Sequence, residues 1–119
     1  MSVLVPLVSA LLACTAVDGD TLRCGAERVR LIGIDAPELP GHCDPRRRCV
    51  SGNARASKAA LPRLVGGRWV RLDRRGQDRY GRTLAFAFVG NRNLSCVQLR
   101  GGFADYVPRW DIGGVAGRC

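Results

Sequence analysis

The chain has 119 residues, 46% of them hydrophobic, and a formal net charge of +9. Its length suits one domain spanning 1–119, with a core small enough to gain from covalent staples. The charge comes from nineteen basic residues, nearly all arginine, which suits a polyanionic partner, nucleic acid above all. Six cysteines without a Cys-x-x-Cys pair set a zinc ribbon aside and point to an oxidising compartment, secreted or periplasmic.

In chain order, Val3 to Ala13 is apolar but too short to span a bilayer. We read it as leading into a first strand, Leu7–Val17; the alternative for residues 1–16 is an export signal. Asp18-Gly19-Asp20 is a hairpin turn sequence, and Thr21–Cys24 is the returning strand. Pairing Val17 with Thr21 across a three-residue loop puts Cys14 opposite Cys24, a spacing that suits a disulfide. After a turn at Gly25-Ala26-Glu27, Arg28–Ile34 is a third strand, rich in Val, Leu and Ile. Strict alternation separates Arg30 from Asp35, so their convergence requires a bend, and Gly33 is the place for it.

Pro40 to Gly52 is a loop that Cys43 and Cys49 can clip. It carries Arg46-Arg47-Arg48, suited to phosphate or to a solvated surface, and His42, read as exposed and incidental. Ala54–Val65 has helical spacing, with Pro62 expected to kink it or end it early and Gly66-Gly67 closing it. Trp69–Arg74 and Thr83–Val89 are the fourth and fifth strands, joined by a turn over Arg75 to Gly81. Leu94–Arg100 is a short helix that Gly101-Gly102 ends. The remainder, 107–119, is an irregular tail, and elimination pairs its Cys119 with Cys96. Five strands, with a helix between the third and fourth and a short helix after the fifth, give an α+β fold. A small five-stranded OB-type barrel fits best; an open sheet is the alternative.

Asp18, Asp20, Asp35 and Glu38 lie within twenty-one residues of one another, with Arg30 among them. Like charges that close repel unless a cation neutralises them. Oxygen donors suit a hard divalent ion, and an arginine beside it suits phosphate. Each element has a plainer reading: Asp18-Gly19-Asp20 as a turn, Asp35 to Glu38 as a helix start, and the arginines as solvated surface charge.

Asp-Gly-Asp-Thr at 18–21, Arg-Leu-Ile-Gly-Ile-Asp-Ala-Pro-Glu at 30–38 and Asp-Arg-Tyr-Gly-Arg at 78–82 occur in that order. Together they resemble the signature blocks of the thermonuclease family, the micrococcal-nuclease-like OB-fold nucleases, over a core of about 7–106. The resemblance implies a calcium-dependent endonuclease that cuts DNA or RNA and leaves 3′-phosphate ends. Asp20, Asp35 and the Ala36 carbonyl would hold Ca²⁺, with Asp18 in support. Arg30 and Arg82 would bind the scissile phosphate, Glu38 would sit beside the attacking water, and Arg79 and Tyr80 would contact substrate. Ala36 replaces the family's usual threonine, and Pro108 and Trp110 stand near its expected aromatic positions. The family's long C-terminal helix has no counterpart before Cys119. The rival readings are a catalytically silent OB module that binds nucleic acid, and a small disulfide-stapled structural or inhibitory protein. Nothing points to an obligate protein partner.

Overall fold

The computed structural model describes residues 10–38, 43–46, 49–50 and 52–119. The beginning of the expected first strand, His42, Arg47 and Arg48 lie outside the described residues.

Strand β1 (Leu11–Asp18) pairs antiparallel with β2 (Thr21–Cys24), and β2 with β3 (Glu27–Leu31). The hairpin keeps Cys14 opposite Cys24, and the two form a disulfide with Cα atoms 4.2 Å apart. The loop, however, is shorter than expected. Asp18, not Val17, faces Thr21, and a bulge at Val17 absorbs the extra residue. The two-residue turn Gly19-Asp20 matches strand twist better than three residues would, and the bulge re-aims the end of β1.

The third strand is shorter than the sequence suggested. It stops at Leu31, turns at Ile32-Gly33 and resumes as β4 (Ile34–Asp35). Gly33 has φ +83°, and a Cβ there would lie 2.7 Å from the Cβ of Ala116, so both backbone and packing require glycine.

Helix α1 (Ala54–Val65) opens on Asn53, whose side chain accepts the Ala56 N–H, and it runs through Pro62 without stopping. Pro62 is exposed, so water can satisfy the carbonyl that its missing donor leaves, while Leu61 and Val65 hold the helix into the core. Strand β5 (Trp69–Gln77) extends past Arg74, with a bulge between Arg74 and Gly76. The turn to β6 (Thr83–Val89) is therefore only Asp78 to Arg82, closed by Asp78 N–H donating to the Arg82 carbonyl. Short β7 (Arg92–Asn93) leads into α2 (Leu94–Arg100), which ends at Gly101.

The sheet runs in the order β3-β2-β1-β5-β6-β7, and a parallel β3–β6 pairing closes its first five strands into a barrel. Cys14, Leu22, Val29, Leu31, Ile34, Val70, Leu72, Ala85 and Ala87 fill it, with Leu61 and Val65 from α1 and Leu94 from α2 closing it off. β8 (Asp105–Tyr106) pairs with β4, and beyond it the chain makes three single 3₁₀ turns within Pro108–Arg118. That tail is more ordered than expected. Ala116 packs on Ile32 and Phe86 outside the barrel, and Cys119 bonds to Cys96. Cys43 and Cys49 form the remaining disulfide. Among the described residues no helix is long and apolar enough to cross a membrane.

Candidate functional site

The ends of β1, β3, β4 and β6 meet at a cavity of about 1000 Å³. Asp18, Asp20, Arg30, Asp35, Ala36, Glu38, Arg79, Tyr80 and Arg82 all line it. Groups up to 64 positions apart in sequence thus line one cavity.

Asp20 sits in the hairpin turn and is buried. Its Oδ1 accepts the Thr21 hydroxyl at 3.0 Å, and its Oδ2 accepts the Ala36 N–H at 2.8 Å. Arg30, on β3, lies between the two buried aspartates. Its Nη1 is 3.1 Å from Asp20 Oδ2 and its Nη2 is 3.5 Å from Asp35 Oδ1, and the side chain is only 12% exposed. The Gly33 turn makes this possible by bringing Asp35 back beside Arg30 after five residues. The face of Trp110 lies over the guanidinium, its ring centre 5.4 Å away.

Asp18 closes one side. Loss of water around its carboxyl, then its hydrogen bond to and repulsion from Asp20, push its pKa up to about 6, although the Arg30 charge acts the other way. Glu38 is exposed on the rim. Across the cavity, Asp78 organises the turn before β6. It accepts the backbone N–H groups of Tyr80 and Arg82 and the Arg82 Nε–H at 2.7 Å. Burial alone would raise the Asp78 carboxyl, but these Arg82 and Tyr80 contacts outweigh it and hold it below the usual carboxylate range. Arg79 and Arg82 flank the exposed Tyr80 ring at 5.1 and 5.7 Å.

Residues not singled out for the site also stand on its wall or behind it. Lys58 from α1 and Arg109 from the tail add two cations to the lining. Behind the wall, Gln98 Nε2 donates to the Gly19 carbonyl at 2.8 Å and Ser57 Oγ donates to the Phe103 carbonyl at 2.7 Å, both side chains wholly buried. The available signal was the pair Ser95 and Gln98, polar residues one helical turn apart among the apolar positions of Leu94–Arg100.

Residues 28–112 match the family model described as Staphylococcal nuclease homologue. A protein named "Uncharacterized endonuclease" from Haemophilus influenzae is 37% identical over 92 residues, covering 73% of this chain and 46% of that protein. A "Thermonuclease" from Staphylococcus intermedius is 34% identical over 94 residues, covering 74% and 54%. "Protein ParB" from Escherichia coli is 39% identical over 77 residues, covering 61% and 38%. The chain thus spans about half the length of the curated relatives it matches.

Proposed function

Since the chain belongs to the staphylococcal nuclease family, we propose that its pocket hydrolyses phosphodiester bonds of DNA or RNA. In this reading the chain is a calcium-dependent endonuclease that leaves 3′-phosphate ends. The observation that carries it is the pairing of two buried carboxylates, Asp20 and Asp35, across one guanidinium, in a cleft that Glu38 and Arg82 also line.

The donor set fits a hard divalent ion. Asp20, Asp35 and the Ala36 carbonyl offer only oxygen, and Asp18 adds negative charge behind them. Among the described residues no three acidic, His or Cys side chains form a metal cluster by themselves, so backbone and water would complete the shell. Bound there, Ca²⁺ supplies positive charge beside the scissile phosphate and makes water easier to deprotonate.

The chain's own residues supply the rest of the chemistry. Arg30 is fixed by Asp20, Asp35 and Trp110, so its fork is aimed before a phosphate arrives. Arg82 spends its Nε on Asp78, and its two amino groups donate to non-bridging oxygens, where charge builds in the transition state. Glu38 orients a water and accepts its proton. The water oxygen bonds to phosphorus, the bond to the 5′ oxygen breaks, and that oxygen takes a proton from solvent. Arg79 and Tyr80 contact the strand beside the reacting phosphate. Three disulfides suit work in an oxidising compartment, secreted or periplasmic.

Incubation with plasmid and single-stranded DNA, in calcium and then in chelator, tests the reading. Cutting that needs calcium and is lost in Glu38→Gln supports it. Retention without cutting supports a silent binding module instead.

A further inference from the structure

The outer faces of β1, β2, β3 and β5 carry a basic and aromatic stripe outside the pocket. Thr15, Arg23 and Arg28 face one another across three adjacent strands, and all three are exposed. One step along β1, on the same face, Ala13 pairs with Trp69 and Leu11 with Arg71. Trp69 is 63% exposed and Leu11 55%, a large apolar surface to leave in water.

Arg23 directly opposite Arg28 costs stability, because like charges in facing positions repel. Among the described residues no carboxylate pairs with either. The acids nearby are already engaged, Glu27 by Arg74 and Asp73 by Arg75. Arg28 donates to the Tyr80 carbonyl at 2.6 Å, and Tyr80 lines the pocket. The stripe therefore starts at the pocket rim. It crosses three strand spacings to Trp69, about 15 Å, which accommodates a few nucleotides of the 4–16 that OB folds typically hold. The Cys14–Cys24 bond lies on the opposite face of the same hairpin and stiffens it, so little conformational freedom is lost when a ligand binds.

We propose that this stripe is a second nucleic-acid subsite, which holds a single strand as it leaves the pocket, with Arg28 and Arg23 on phosphates and Trp69 stacked on a base. Guanidinium groups beside an open aromatic ring are what a single strand recognises; a neutral apolar partner would gain nothing from the facing arginines. The strand's direction rests on the nuclease reading of the pocket, whereas binding by the stripe does not.

The test is fluorescence anisotropy of labelled dT12 in chelator, so that the strand stays intact, with wild type, Trp69→Ala and Arg23→Gln. Both side chains are exposed, and urea midpoints check that the variants fold. Wild type is expected to bind dT12, and each substitution to weaken it about tenfold. Arg23→Gln should also lower the salt slope by about 0.7. Binding of dT12 that neither substitution moves overturns the proposal, as does no binding of dT12, or capture of phosphatidylglycerol vesicles in its place. Cleavage in calcium is scored separately. Cutting with unaltered variant affinities removes the stripe alone, while dT12 binding lost in the variants without any cutting removes the pocket reading alone.

Discussion

Gly19→Ala is the substitution whose consequence the structure constrains most tightly. Gly19 is buried in the hairpin turn, and a methyl there would collide with the Ser57 hydroxyl oxygen, 2.7 Å from Ala36 Cβ and 3.0 Å from Ser57 Cβ. Turning the Ser57 hydroxyl away does not relieve the clash, because Ser57 Cβ and Ala36 Cβ stay in contact. It also breaks the buried bond to the Phe103 carbonyl. Overpacking costs about 1–3 kcal/mol and the lost hydrogen bond about 1 kcal/mol, so the variant should lose about 3 kcal/mol. With a urea slope of about 1.5 kcal/mol per molar, its midpoint falls by about 2 M. Turnover falls too, because Ala36 moves and its N–H is what holds Asp20 Oδ2. A misplaced ligand group of this kind costs about a hundredfold. Urea unfolding and initial rates on single-stranded DNA read both effects. In a Ser57→Gly background the added cost of Gly19→Ala should shrink, which isolates the steric term. A Gly19→Ala variant with wild-type midpoint and rate would refute the reasoning.

Arg30→Lys keeps the charge but cannot bridge Asp20 and Asp35 at once; turnover should fall about 10²–10³-fold with a folded spectrum, and near-wild-type turnover would contradict the assigned role. The Glu27 carboxyl is pulled down to about 2 from its usual 4.5 by its bonds to Arg74 and then Thr83, against burial that would raise it. Its contribution is therefore complete above pH 4.5 and is lost as pH falls from there toward 2. Arg74 is 51% exposed, so solvent screening reduces the effect to about 1 kcal/mol; Arg74→Gln should flatten the stability profile between pH 5 and 2, and an unchanged acid limb argues against it. Replacing Cys96 and Cys119 with serine opens a bridge that spans 23 residues, worth about 3 kcal/mol; a urea midpoint that does not fall would show that the tail needs no anchor.

The sequence made some of this architecture readable because the relevant forces are local. Taking Asp18-Gly19-Asp20 as a hairpin loop placed Cys14 opposite Cys24, and that pair holds because the bulge at Val17 offsets the shorter turn. Helical spacing and the Gly66-Gly67 stop gave α1 its bounds. Pro62 does not end the helix early, because the rule for proline counts the lost donor and not the core burial of Leu61 and Val65 on either side. The bulge at Val17 was hidden because turn length depends on how Gly19 fits beneath Ser57, 38 positions away. The β4–β8 pairing, the parallel closure of β3 on β6 and Trp110 over Arg30 are all long-range contacts, and no window of sequence displays them. The site's principal groups were legible because their chemistry is unusual for a small basic chain: three aspartates and a glutamate close together with one arginine among them. The residues behind the wall, Gln98 and Ser57, were not, because buried polar side chains that bond to backbone look like ordinary helix residues.

The central claim is that Asp20 and Asp35 share one divalent cation beside Arg30. Calorimetric titration of calcium into the wild-type protein, Asp20→Asn and Asp35→Asn tests it most directly. One site in the wild type, lost or weakened more than tenfold in each variant, is the predicted result. Calcium bound equally well by both variants, or not at all by the wild type, would contradict it.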